Sequence, residues 1–256
     1  MADDAPYLVD KPLGATPLEA LGMLRGLKPE LADQKLAYAG RLDPMATGLL
    51  VIAHGPWLGR QEELWAMPKE YDASVILGLT TDSYDLLGLA TIGRPVAVPN
   101  ERILAAAQGM VGKLTLSVPV FSSNRVAGKP LFTLAREGIP SDVAVPVRRM
   151  GVSEITVADV TDTTAATLTR TLYERIPLVK GDFRQVEILA RWDEVLGDAS
   201  QHWSVVQLHV RCGSGTYVRS LAHELGRRLA CGAVLAGLRR TRVGPYTLDD
   251  PAVVAL

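Results

Sequence analysis

The sequence predicts an α/β protein of the α+β kind, and three features predict it. Residues 70–79 and 204–211 alternate apolar and polar side chains, the mark of strands with one buried face. Gly48-Leu49-Leu50-Val51-Ile52-Ala53 is an unbroken apolar run of strand length, suited to a buried strand. Between such segments lie capped stretches of helical spacing, the first of them starting at Thr16.

In chain order, Tyr7-Leu8-Val9-Asp10-Lys11-Pro12 reads as a short strand ended by proline. Thr16-Pro17-Leu18-Glu19 is a helix start. Threonine caps, proline suits the first helical position, and Glu19 completes a capping box. Leu18, Leu21 and Leu24 form the expected buried stripe. The connection 56–68 has helical character, and Thr80 to Asp85 is a polar loop closed by Gly88. Asn100 is expected to cap a helix over 101–111, with Ile103, Ala107 and Met110 inward. A strand over 113–118 leads to a loop or hairpin over 119–129, a short helix over 131–137 and a strand region over 147–160. Residues 161–204 open with six threonines between Thr161 and Thr171, then alternate through Val186, Ile188, Ala190 and Trp192. This pattern predicts a β-rich insertion. After the strand 204–211, Cys212-Gly213-Ser214-Gly215-Thr216 is a tight turn, and Val218, Leu221, Leu225 and Leu229 mark a helix over 217–230.

The 256 residues, 48% of them hydrophobic, suffice for one large domain. A formal net charge of −1 gives no bulk signal of nucleic-acid binding, so any such surface must be local. Cys212 and Cys231 form no Cys-x-x-Cys pair or Cys/His cluster, which argues against structural zinc and against a disulfide framework. Reduced thiols and a cytoplasmic location are expected. The acidic N-terminus lacks a signal-peptide pattern, and no apolar run approaches the ~18 residues of a membrane span. The sequence points to no metal, no cofactor and no obligate protein partner, and a monomer is expected.

Chemistry concentrates in two stretches. In the first, Gly40, Pro44 and Gly48 bend the backbone just before the apolar run, and the bend holds Asp43. A carboxylate on a stiff loop beside a buried strand needs a partner. An Asx-turn to nearby amides is one reading and a functional carboxylate is the other. The second stretch, 211–242, carries seven arginines, Arg239 and Arg240 among them, against the single acid Glu224. Planar guanidinium forks suit phosphate contact, though a solvated helix face explains the same count. The turn Gly213–Thr216 between strand and helix places amides where an anion can sit, but GxxxxGK[ST] and a full GxGxxG are missing. Arg125, Lys129 and Arg136 are candidate phosphate contacts or ordinary surface charges. Taken singly, Lys11 reads as a surface lysine and Tyr71 as a core tyrosine.

In order along the chain, several blocks resemble the bacterial tRNA pseudouridine-55 synthases, the TruB-type family. Leu8-Val9-Asp10-Lys11-Pro12-Leu13-Gly14 resembles its N-terminal motif, and Ala39-Gly40-Arg41-Leu42-Asp43-Pro44-Met45-Ala46-Thr47-Gly48-Leu49-Leu50 its catalytic loop. Lys69-Glu70-Tyr71 with Thr81-Asp82-Ser83-Tyr84-Asp85 is similar to a further block, as is Gly128-Lys129-Pro130-Leu131-Phe132 with Ala135-Arg136-Glu137-Gly138. Cys212-Gly213-Ser214-Gly215-Thr216-Tyr217-Val218-Arg219 and Leu238-Arg239-Arg240-Thr241 complete the likeness, which covers most of residues 7–160 and 205–246.

The resemblance implies a pseudouridine synthase core, a mixed and largely antiparallel sheet flanked by helices. It implies isomerisation of uridine in the tRNA T-arm without a cofactor, the base being flipped out of its stack. Asp43 would be the catalytic carboxylate, Arg219 its partner, and Tyr71 the ring on which the uracil stacks. Tyr217 and Leu238 would line the pocket, with Lys11 nearby. Tyr38 stands where the family usually has a histidine that contacts RNA, and Arg125, Lys129, Arg136, Arg239 and Arg240 would meet the backbone. Only ten residues follow Tyr246, so the PUA-type RNA-binding domain common in this family is expected to be absent. Two other classes stay open: a non-catalytic RNA-binding protein or tRNA chaperone on the same fold, and a phosphate-ester enzyme using the Gly213–Thr216 turn with a metal cluster.

Overall fold

A computed structural model of the chain describes residues 5–94, 97–126, 128–139, 144–198 and 200–256. The acidic residues 1–4, Ala127 of the expected loop and Ala199 of the expected insertion lie outside them. Strand β1 (Tyr7–Lys11) leads to helix α1 (Pro17–Leu27). The capping box is formed: the Glu19 amide donates to Thr16 Oγ1 at 3.2 Å, and the Thr16 amide donates to the Glu19 carboxylate at 2.8 Å. Leu18 departs from the expected stripe, since it is 70% exposed while Ala20, Leu21 and Leu24 are buried. At about 100° per residue, positions 20, 24 and 21 share one arc and leave 18 at its edge.

Strands β2 (Ala37–Ala39) and β3 (Ala46–Ala53) flank the bend that holds Asp43. Residues 49–53 of β3 are fully buried because sheet neighbours lie on each side and helices or loops cover both faces. Helix α2 (Gln61–Ala66) precedes β4 (Lys69–Leu77), and the short pair β5 (Leu79–Thr81) and β6 (Ala90–Ile92) brackets the polar loop. Next come α3 (Asn100–Gln108), β7 (Gly112–Ser117), the hairpin β8 (Arg125–Val126) and β9 (Lys129–Pro130), and α4 (Leu131–Glu137). Strand β10 (Val147–Thr164) and strand β11 (His202–Cys212) form a long antiparallel ribbon, followed by α7 (Val218–Leu229), β12 (Ala233–Val243), β13 (Tyr246–Thr247) and β14 (Val253–Ala255).

The ribbon's connection corrects the expected β-rich insertion. It is a helical hairpin, α5 (Ala165–Arg175) and α6 (Gln185–Val195), joined through a 3-10 turn at Ile176–Leu178. Ile188, Trp192 and Val195 pack with Leu168, Leu172 and Ile176, whereas Val186 is 85% exposed. The buried positions therefore follow the 3.6-residue helical period, and the alternation through Val186 and Ala190 is coincidental.

The main sheet runs β14-β1-β3-β12-β4-β11-β10-β7, with β2 also on β3 and β13 on β12. Only the β1–β14 and β3–β12 pairings are parallel among the described strands. On one face, Val218, Leu221, Leu225 and Leu229 of α7, with Ile103, Ala107 and Met110 of α3, cover Tyr71, Ala73, Val75 and Leu77 of β4. Among the described residues no helix is long and apolar enough to cross a membrane.

Candidate active site

The bend between β2 and β3 is held from the side by β12. Arg240, 1% exposed, donates from Nε to the Leu49 carbonyl at 2.7 Å and from Nη1 to the Arg41 carbonyl at 3.0 Å. Gly48 has φ +103, and a side chain there would run into the backbone of Arg240. Glycine is needed because Gly48 is paired with Arg240 of β12, whose backbone lies where a Cβ would be. The Gly14 amide donates to the Pro44 carbonyl at 2.9 Å, tying the same bend to the β1–α1 turn.

This pinned loop presents Asp43 to the first turn of α7. Arg219 Nε stands 2.8 Å from Asp43 Oδ2 and 3.7 Å from Asp85 Oδ2. The contact to Asp43 is close but off-axis for a hydrogen bond, so its attraction is mainly Coulombic. The guanidinium also donates to the Ser83 carbonyl at 3.0 Å and to the Phe121 carbonyl at 3.2 Å. Its side chain is 5% exposed and that of Asp43 is 36% exposed, so the carboxylate is reachable while its partner is not. Burial by itself would lower the Arg219 pKa; the Asp43 and Asp85 charges outweigh it and hold it above its usual value. Asp85 is pushed upward by its own burial, opposed by the Arg219 charge. It accepts from Ser83 Oγ at 2.7 Å and from the Leu87 amide at 3.0 Å.

Tyr71 lies on β4 opposite Arg240 of β12, nearly buried, with its hydroxyl pKa raised by burial. Lys11 is no surface lysine. It is fully buried and donates to the carbonyls of Ala15 at 2.7 Å and Pro12 at 2.9 Å. Burial lowers its pKa from 10.5 to about 8, against the pull of the Asp43 charge. Leu238 lines a narrow cleft with Asp43, Asp85, Leu86 and Leu235, whose free volume of about 10 Å³ holds little more than one water. Tyr217 precedes α7 and accepts from Asn124 Nδ2 at 2.7 Å, while Arg148 Nη2 donates to Asn124 Oδ1 at 3.1 Å. Among the described residues no group of three or more His, Cys, Asp or Glu side chains is placed to hold a metal ion.

A family model described as the TruB family pseudouridylate synthase N-terminal domain matches residues 28–173, over half of the chain. The chain belongs to the TruB family of pseudouridylate synthases. A second model, the tRNA pseudouridylate synthase B C-terminal domain, matches residues 219–256. The chain is 33% identical over 245 residues to tRNA pseudouridine synthase B of Chlamydia pneumoniae, covering 95% of this chain and 84% of the relative. It is 34% identical over 247 residues to the same-named protein of Aromatoleum aromaticum, covering 96% and 65%. Among solved structures, a Cbf5-Nop10-Gar1 complex superposes with a TM-score of 0.61 at 22% identity, over 99% of this chain and 52% of the other. An H/ACA RNP bound to a substrate RNA containing 2'-deoxyuridine gives 0.60 at 20%, over 98% and 51%. This chain thus spans about half the length of those two chains, and the likeness is one of fold.

Within this TruB-family fold, Asp43, Arg219, Tyr71, Leu238 and Lys11 gather at one place, with Tyr217 close enough for its hydroxyl to influence Arg219. Tyr38 packs elsewhere, with Val9, Leu21 and Ile52 on the α1 side. Arg240 is corrected from an RNA contact to a buried brace, because its guanidinium is spent on main-chain carbonyls. Its neighbours in the arginine-rich stretch are also engaged. Arg211 and Arg242 face Glu70, Arg227 and Arg228 share Glu224, and Arg239 pairs with Asp10 at 2.7 Å. Arg125 stays exposed and donates to the Gly128 carbonyl, Lys129 pairs with Glu137 at 3.1 Å, and Arg136 approaches Asp182 at 3.5 Å. Sequence reasoning missed Asp85 as a site residue; its signal was an acid set directly before the apolar pair Leu86-Leu87.

Proposed function

We propose that this chain isomerises uridine to pseudouridine in the T-arm of tRNA, at position 55, with Asp43 as the catalytic carboxylate. One observation carries the reading: a reachable carboxylate on a braced loop, 2.8 Å from a buried arginine that two loop carbonyls hold in place. The names of the relatives supply the substrate class, tRNA. The flipped uridine leaves its stack at a cost of a few kcal/mol. Its N1–C1′ bond breaks, the uracil turns, C5 bonds to C1′, the C5 proton departs to water and N1 takes up a proton in its place. No group or electron is supplied from outside the substrate, so the protein's task is to hold, orient and stabilise. Arg219 fixes the direction of Asp43. The Tyr71 ring offers a stacking face worth about 1–3 kcal/mol. Leu235 and Leu238 supply apolar walls against which a freed base can turn, and the narrow cleft must widen to admit it.

The test is tritium release from a tRNA transcript labelled at uridine C5, since the reaction leaves mass unchanged but expels that hydrogen. Wild type should release tritium and Asp43→Asn should not, while both bind the transcript equally in filter assays. Release by Asp43→Asn at the wild-type rate would remove Asp43 from the chemistry. Binding without release by either protein would favour an RNA chaperone.

A further inference from the structure

The helical hairpin α5–α6 reaches the candidate site at several points, among which Arg184 meets two of its loops at once. This residue precedes α6 in a left-handed conformation, φ +62 and ψ 28, which a non-glycine residue adopts at a cost of about 1 kcal/mol or more. Its amide donates to Asp182 Oδ1 at 3.3 Å, and its side chain reaches out of the hairpin. There the guanidinium meets two loops at once. Nη1 donates to Asp82 Oδ2 at 2.9 Å, and Cζ lies over the Phe121 ring at 4.2 Å from its centre.

Those are the two loops that hold Arg219. Ser83, next to Asp82, gives Arg219 one carbonyl and Phe121 gives it the other. The other oxygen of Asp82 accepts the Leu89 amide at 2.8 Å, so the aspartate also closes the loop that carries Asp85. The hairpin grips that loop at two more points. Trp192 Nε1 donates to the Leu86 carbonyl at 3.1 Å, and Arg191 Nε to the Ala90 carbonyl at 2.8 Å. We infer that Arg184 is a positioning residue: it clamps together the two loops whose carbonyls aim Arg219 at Asp43, and this is the role of the helical insertion. An isolated, partly exposed ion pair contributes little, but one planar guanidinium that pairs and stacks fixes the relative position of both loops. The inference rests on the Asp43–Arg219 pair being the catalytic one.

Arg184→Gly tests it, because glycine accepts this backbone conformation without strain and only the clamp is lost. Two readouts are taken on the full chain: hydrogen exchange of the segments around Leu89 and Phe121, and single-turnover tritium release alongside tRNA binding. The expected result is faster exchange in both segments and a rate about tenfold lower. tRNA affinity and the thermal midpoint stay at wild-type levels. Arg184→Lys should recover part of the rate, since it can pair with Asp82 but cannot stack in the same way. Unchanged exchange, a loss of tRNA affinity with the rate preserved, or a rate loss seen only with a lowered midpoint would each overturn the clamp. If wild type releases no tritium yet Arg184→Gly loosens both segments, the clamp stands and the reaction proposed above is what fails.

Discussion

Replacing Lys11 with methionine turns the electrostatics of the site into a stability measurement. Its folded pKa of about 8 lies well below the unfolded 10.5, with burial the larger cause and the Asp43 charge opposing it. At 1.36 kcal/mol per pH unit, keeping this ammonium charged in the fold costs about 3 kcal/mol at pH 7. The folded state gives up its proton before the unfolded chain does. Between pH 8 and 10.5 the unfolded chain binds more protons, and the Lys11 contribution to stability rises with pH. Lys69, also depressed to about 8 by burial, acts in the same direction, while Cys212, pushed up to about 11 by burial, opposes both above pH 9. Lys69 and Cys212 are present in both proteins, so the difference between wild type and Lys11→Met isolates Lys11. That difference should move in favour of wild type by about 2 kcal/mol between pH 7 and about pH 9.5. The bonds lost to the Ala15 and Pro12 carbonyls cost the same at both pH values and cancel. Urea unfolding of both proteins at the two pH values reads it directly. A difference that stays flat with pH would mean that Lys11 is not a buried ammonium, and the geometry drawn around Asp43 would be wrong with it. Asp43→Asn should drive Lys11 to titrate lower still, visible in the NMR signal of its Nζ, because it removes a charge that raises this pKa.

Two further outcomes follow from the brace behind the loop. Gly48→Ala should lower the unfolding free energy by about 3 kcal/mol or more, since the added carbon meets the Arg240 backbone and φ +103 is strained for alanine; wild-type stability in denaturant would refute the close approach. Arg240→Met should leave the Leu49 and Arg41 carbonyls without their donors, at a cost of about 2–3 kcal/mol, and should reduce tritium release more than tRNA binding. Equal losses in release and binding would show that Arg240 serves the fold alone.

Much was legible in the chain because it is local. The capping box at Thr16 needs only residues 16 to 19, and a β-strand with one buried face writes its own alternation, as in β4 and β11. The ordered motifs were legible for a different reason: they match a family pattern, which pointed to Asp43, Arg219 and Tyr71 before any contact was known. The hairpin α5–α6 was misread because short apolar segments satisfy two periods at once. Ile188 and Trp192 fit either, and only the positions buried against α5 choose between them.

The sequence by itself determined where Asp43 sits on a bent loop, that α1 opens on a capping box and which family the motifs follow. It misplaced the cap of α3, where Asn100 is the first helical residue behind Pro99 and caps nothing, and missed the Thr164 cap of α5. Tertiary structure decided what each charge does. Arg239 and Arg240 are adjacent and alike in sequence, yet one faces Asp10 at the rim and the other is sealed against the Arg41 and Leu49 carbonyls. Asp85 became a site residue, Lys11 a buried ammonium and Arg184 a bridge for the same reason. An ionised group takes its energy from the partners and the water around it, and here those partners come from segments as far as 229 residues away along the chain.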